Sequence, residues 1–247
     1  MFKVKTESEI ELMRISGQIL ADTFKILEEH IKPGVSTKQL DKIAHDYIIS
    51  RGAKPSCLNY EGFPASICTS IDDVVVHGIP QDNQLLKEGQ IIGVDICVKY
   101  KGLNTDAART YAVGKISPIK EKLVQVTKEC FFEAIKDLKA GCRVGDIGSK
   151  VQKYAEKHGY SVVRDLVGHG VGKGLHEDPA IPNFGQAGTG PKILSGMTLA
   201  IEPMINLGDY KVEFNGMWDV RTADGKPSAH YENTVLITDD GVEILTI

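Results

Sequence analysis

Four acids and one histidine, Asp95, Asp106, His169, Glu202 and Glu232, are spread over more than half of the chain, each inside a segment that reads as a strand or strand end. Oxygen-rich donors with one imidazole are what a pair of divalent ions needs. Asp95 sits in IIGVDICVKY and Asp106 in GLNTDAARTYAV, an Asp-x10-Asp spacing with a Lys-Gly break between two apolar runs. Folded as a hairpin about Tyr100 and Lys101, these runs would set Asp95 directly opposite Asp106, both carboxylates on one face about 5 Å apart. Carboxylates that close repel unless a proton or cation lies between them. Metal explains the pair better than an acid/base dyad, provided further ligands lie downstream.

They do. His169 lies in VVRDLVGHGVGKGLHEDP, with His176 seven residues later, in a glycine-rich segment that lets backbone and ligand approach closely. A lone histidine is more often structural, but two beside an acid cluster read as functional; the spacing does not fit the HExxH zinc helix. Glu202, in GMTLAIEPMINL, reads either as an edge-strand glutamate facing solvent or as a ligand, and its apolar neighbours Leu199, Ile201 and Met204 favour the ligand. Glu232, in SAHYENTVLIT, taken alone reads as solvent-facing. Taken together, four carboxylates neutralise two divalent ions, so the cluster can sit in a partly buried cleft. Mn, Fe(II), Co or Zn suits such donors. Paired ions acidify water and polarise a carbonyl or phosphoryl group, which makes hydrolysis the expected chemistry.

The elements that must position these residues are helix pairs and short strands. Thr6-x-x-Glu9 is a capping box opening a helix with Met13, Leu20, Phe24, Leu27 and Ile31 on one face, ended by Pro33-Gly34. Ser36-x-x-Gln39 opens a second, with Leu40, Ile43, Tyr47 and Ile48 inward and Gly52 closing it. Ser117-Pro118 starts a third that runs to Leu138; a fourth spans about Asp146 to Lys157 and stops at Gly159. Lys32, Gly34, Leu40, Tyr47 and Gly52 fall on Lys139, Gly141, Ile147, Tyr154 and Gly159 at one constant offset, and each unit precedes a His-Gly step, at His77 and His169. The chain reads as internally duplicated, with a site at the seam of its halves.

Composition narrows the function. A chain of 247 residues buries a large core, and no linker, charge block or low-complexity tract divides it. A net charge of −4 argues against nucleic-acid or anionic-membrane partners and leaves small molecules or peptides. No apolar run approaches the roughly 20 residues of a spanning helix and no signal peptide opens the chain, so a cytoplasmic location is expected. Five cysteines without a CxxC pair read as reduced thiols, Cys130 among them as core.

These motifs converge on a known family. Through VVVHGIP, GVDICVKYKGLNTDAARTYAVG, GHGVGKGLHEDP, AIEPMIN and SAHYENTVLIT, in the family's order and over most of its length, the chain resembles the type I methionine aminopeptidases. The resemblance implies an α+β pita-bread fold: one catalytic domain over 1–247, with pseudo-symmetric helix-plus-strand halves of about 1–115 and 116–247 forming one curved sheet with helices on its outer face. It implies that Asp106 and Glu232 bridge two metals, that His169 and Glu202 complete one ion and Asp95 the other, and that Glu202 also handles the proton of the attacking water. His77 would contact the scissile nitrogen or the residue after methionine, and His176 would donate to the developing oxyanion. Cys57, Tyr60, Phe63, Cys68 and Trp218 would form the methionine pocket, where sulfur and aromatic walls suit a thioether. A Na or K site near Asp72, Val74 and Ser228 is also implied. Leu175 and Val76 depart from the family's common residues, which touches the pocket's shape more than catalysis.

The implied activity is removal of the initiator methionine from nascent chains with a small second residue, by a monomer that meets the ribosome transiently. With 25 residues between His176 and Glu202, there is no room for the type II helical insertion, and the short form resembles the bacterial type. Two other readings share the motifs: an Xaa-Pro aminopeptidase or dipeptidase, whose relatives usually carry a sizeable N-terminal domain, and a non-catalytic binding module, whose relatives lose ligands that are all kept here.

Overall fold

Helix starts follow the capping chemistry in the computed structural model, which describes residues 3–247; positions 1 and 2 of the expected 1–247 domain lie outside the described residues. Glu9 N–H donates to the Thr6 hydroxyl and Thr6 N–H to the Glu9 carboxylate, opening α1 (Glu7–Glu28). Ser36 and Gln39 make the same exchange at α2 (Thr37–Ser50). Pro118, whose missing N–H costs nothing in a first turn, begins α3 (Pro118–Ile135). The Asp146 carboxylate accepts from Arg143 N–H at the start of α4 (Val144–Lys157). The third helix stops three residues short of Leu138, which is nonetheless buried.

Fifteen short strands form four antiparallel hydrogen-bonded groups among the described residues. The first joins β1 (Lys54–Pro55), β2 (Cys68–Ile71), β4 (Ile91–Tyr100) and β5 (Leu103–Ala112). The second joins β3 (Val74–Val76) to β12 (Asp219–Thr222) and β11 (Val212–Asn215). The third is β6 (Ser161–Val162), β10 (Met204–Asn206) and β13 (Ser228–His230). The fourth runs β15 (Val242–Ile244), β14 (Asn233–Ile237), β9 (Thr198–Ile201), β7 (Gly168–Gly170) and β8 (Glu177–Ile181).

A seam joins the first group to the third and fourth. Ala108 and Glu232 exchange backbone hydrogen bonds of 3.3 and 3.0 Å. On either side, the Thr110 hydroxyl bonds both the carbonyl and the N–H of His230, and the Thr234 hydroxyl bonds both backbone groups of Asp106. The β5 segment from Asp106 to Thr110 thus lies along residues 230–234, which brings Asp106 and Glu232, more than a hundred residues apart, into one place. Helices α1 and α2 cover the outer face of one half and α3 and α4 that of the other, each pair over its own apolar cluster. The arrangement is the α+β pita-bread fold.

The hairpin register differs from the expected one. Tyr100 pairs with Leu103, so the turn is Lys101-Gly102, and Asp106 faces Cys97 while Asp95 faces Ala108. Both turn residues have positive φ, 45° and 92°, the type I′ geometry that matches the strands' own twist and for which glycine suits the second position. The slip is two residues, which preserves the pleat's alternation: Asp95 and Asp106 keep a common face as diagonal neighbours.

The constant offset of the helix pairs extends to strands and bridges. A shift of 107 residues, as from Thr37 to Val144, carries α2 onto α4, β1 onto β6, and the Ser36–Leu85 bridge onto the Arg143–Lys192 bridge. It also carries Asp95 onto Glu202. Two of the acids therefore stand at equivalent positions under this shift.

Candidate metal centre

The floor of a cavity of about 740 Å³ is built by residues from four elements and the seam: Asp95 on β4, Asp106 on β5, His169 on β7, Glu202 directly after β9, and Glu232 between β13 and β14. All five residues that the sequence offers as candidate ligands converge there. Glu232, ambiguous in the sequence, is 2% exposed. Its solvent-facing reading fails because the seam's backbone bonds to Ala108 turn it inward. Arg109 braces it from behind, with its guanidinium donating to the carbonyls of Glu232 and Thr246 and lying over the Tyr231 and Phe24 rings.

His169 is oriented by backbone. Its Nδ1 lies 2.9 Å from the Gly170 carbonyl, which fixes the proton there and leaves Nε2 to face Asp106 Oδ2 at 3.7 Å and Glu202 Oε1 at 3.6 Å. The flanking glycines are required by packing: a Cβ on Gly168 would collide with the Ala200 carbonyl and one on Gly170 with the Asp178 carbonyl. Gly168→Ala is expected to push β7 off β9 and lower unfolding free energy by about 1–3 kcal/mol in urea titration; an unchanged midpoint would remove this reason for the glycine.

The electrostatics of the cluster call for cations. Burial raises Asp95, Glu202 and Glu232 well above the usual carboxylate range, and neighbouring negative charge adds to it. Burial likewise pushes Asp106 up to about 7, with the Cys57 thiol adding to the effect. Burial drives His169 down to about 4 and His230 down to about 3, so both imidazoles are neutral near pH 7 and offer lone pairs. No lysine or arginine pairs with any of the four carboxylates among the described residues; their ion-pair contacts are with His169 and His230. Glu232 Oε1 has no hydrogen-bond partner. Buried, uncompensated carboxylates of this kind are stable when they coordinate a metal, so the donor set fits the divalent ions that its chemistry implies.

Around the floor stand the remaining expected residues. His176 Nδ1 is 2.9 Å from the Tyr60 hydroxyl, and its ring meets that of His169 edge-on at 4.3 Å. His77 follows β3 with φ of 60°, its ring edge-on to Trp218 at 6.5 Å. Cys57, Phe63, Cys68, Cys97 and Leu175 form one apolar wall, with Tyr60 and Trp218 packed on it.

Two residues at the centre escaped the sequence reading. Cys97 Sγ lies 3.0 Å from Asp106 Oδ1 and 2.9 Å from Cys57 Sγ. His230, 4% exposed, holds Nε2 at 3.8 Å from both Glu202 Oε2 and Glu232 Oε2. Each stands two positions from a candidate ligand, Asp95 and Glu232, so the period-two alternation of strands is the signal that places them on the same face.

Comparison with known proteins places this geometry. The model of metallopeptidase family M24 matches residues 11–239. The methionine aminopeptidase of Clostridium perfringens is 50% identical over all of this chain and 99% of its own length. The crystal structure of methionine aminopeptidase from Rickettsia prowazekii superposes with a TM-score of 0.98 at 43% identity, covering all of both chains. The Xaa-Pro dipeptidase from Bacillus anthracis shares the fold at a TM-score of 0.79 and 23% identity, with this chain covering 61% of it.

Proposed function

This chain belongs to metallopeptidase family M24, and on that premise we propose that Asp95, Asp106, His169, Glu202 and Glu232 hold two divalent ions, with Asp106 and Glu232 shared between them. The activity is that of a methionine aminopeptidase, hydrolysis of the peptide bond after an N-terminal methionine. The observation that carries the site assignment is the convergence of four carboxylates, Asp106 and Glu232 buried and Asp95 and Glu202 partly buried, none of them ion-paired to a lysine or arginine among the described residues.

When bound, paired divalent ions acidify water and polarise the scissile carbonyl. Mn, Fe(II), Co and Zn all suit the donors. Glu202, whose affinity for a proton burial has raised, takes the proton of the attacking water and returns it to the departing amine. His176, held by Tyr60, donates to the oxygen that gains charge as the carbonyl becomes tetrahedral. His77 contacts the scissile nitrogen or the residue that follows methionine. The methionine side chain packs among Cys57, Tyr60, Phe63, Cys68 and Trp218, where thiols and ring edges complement a thioether. A Na or K ion is assigned to backbone oxygens near Asp72, Val74 and Ser228, where the Ser228 N–H already reaches the Asp72 carbonyl at 2.8 Å.

The substrates are nascent chains with a small second residue, met by a cytoplasmic monomer of one domain, with halves of about 1–115 and 116–247, in transient contact with the ribosome. No described helix is long and apolar enough to cross a membrane. A peptide panel tests the specificity: Met-Ala-Ser is expected to be cleaved and Xaa-Pro peptides left intact, and the reverse pattern would overturn it.

The raised carboxyl groups add a pH prediction. Near neutrality the metal-free site retains protons that ions must displace, so divalent affinity falls as pH drops through about 7, and binding at pH 7 releases protons. Calorimetry in two buffers of different ionisation enthalpy counts them. A count of zero contradicts the raised groups.

A further inference from the structure

The assignment of five ligands gives one ion an imidazole, His169, and leaves the Asp95 ion with carboxylates alone. We propose that His230 is a sixth protein ligand, the imidazole of the Asp95 ion. The inference rests on the metal-centre reading above and extends it to a residue outside the five.

The geometry points there in three ways. His230 Nε2 is buried and lacks any hydrogen-bond partner, a costly state for a polar atom unless something fills it. Its 3.8 Å separations from Glu202 Oε2 and Glu232 Oε2 are too long for hydrogen bonds, yet two ligands each about 2.1 Å from one ion lie roughly 3–4 Å apart. His169 Nε2 stands in the same relation to Asp106 and Glu202, at 3.7 and 3.6 Å. Finally, ligand atoms of Asp95, His230 and Glu232 all lie within 4.8 Å of one another, a triad on the Asp95 side that matches the triad of His169, Glu202 and Glu232 on the other.

The backbone fixes this placement. Thr110 holds both the N–H and the carbonyl of His230, and Met204 pairs with it across β10, so the ring cannot turn out to solvent without breaking the seam. A neutral imidazole adds a donor without altering the balance between four carboxylates and two divalent ions. It also makes the two ions alike in donor type, which a carboxylate-only site would not.

X-ray absorption at the cobalt edge of the full chain loaded with two equivalents of Co(II) decides the matter by counting imidazoles. One imidazole per ion is expected in the wild type, and half that number would overturn the proposal. In His169→Gln the imidazole scattering is expected to persist, because His230 still supplies it; its disappearance would refute the role. In His230→Gln, calorimetry is expected to show one Co(II) step weakened about tenfold or more and the other nearly unchanged. Two unchanged steps would again refute it. If His230→Gln fails to fold, the wild-type count and the His169→Gln spectrum still decide. Failure of the wild type to bind Co(II) at all would overturn the metal centre itself, an outcome distinct from bound ions with half the imidazole count.

Discussion

Asp106→Asn is expected to lose both ions together and to lower kcat/KM by about 10³-fold or more, at least about 4 kcal/mol of transition-state stabilisation. Asp106 is 4% exposed, sits between the Asp95 and His169 sides of the cluster, and is the residue the others press upon. An amide at this position presents one neutral oxygen where two charged oxygens stood. It leaves three carboxylates against four positive charges and turns an N–H pair toward the ions. The backbone should hold, since Thr234 bonds the N–H and carbonyl of residue 106 rather than its side chain. Circular dichroism is therefore expected to show a folded chain. Calorimetry with Co(II) checks the claim, and one undisturbed binding step would refute the bridging role.

His176→Ala separates catalysis from metal binding. The expected loss in kcat is about 10²–10³-fold, about 2.7–4 kcal/mol by the scale of other oxyanion donors, with metal content unchanged. The physical basis is position. His176 stands beside His169 with ring centroids 4.3 Å apart, close to where a carbonyl over the cluster would lie, while its Nδ1 is occupied by Tyr60. When the Tyr60 hydroxyl donates to Nδ1, the ring's proton is on Nε2 and free for the oxyanion. Tyr60→Phe removes that preference but not the donor, so its effect is expected to be below about tenfold. Loss of bound metal in His176→Ala would contradict the role, as would a raised KM with kcat intact.

Where the structure departs from the sequence expectation, the cause is physical. The turn lies at Lys101-Gly102, one position beyond the expected Tyr100-Lys101, because a hairpin's centre depends on which residues accept positive φ, and both pairs lie within the same break between apolar runs. A register slip of two leaves every side chain on its face, so Asp95 and Asp106 still share one. Glu232 could not be settled from its neighbours, since its burial comes from Ala108, more than a hundred residues away. For His230 and Cys97 the strand alternation gives the face but not the role, since nothing local distinguishes a His or Cys beside a charged site from one packed in the core. Their importance lies in what they face across the seam.

By itself the sequence determined what is local or periodic: the capping boxes that start α1 and α2, the glycines that end helices, the repeated helix pair, and the five donors whose types suit two divalent ions. Those follow from side chains acting on their own backbone within a few residues. The tertiary structure decided the turn that sets the hairpin, the seam that joins Asp106 to Glu232, the burial that strips the carboxylates of cationic partners, and the place of His230 among them. These depend on contacts between segments far apart in the chain, where the energy of a site is set by which groups share it rather than by any one residue's nature.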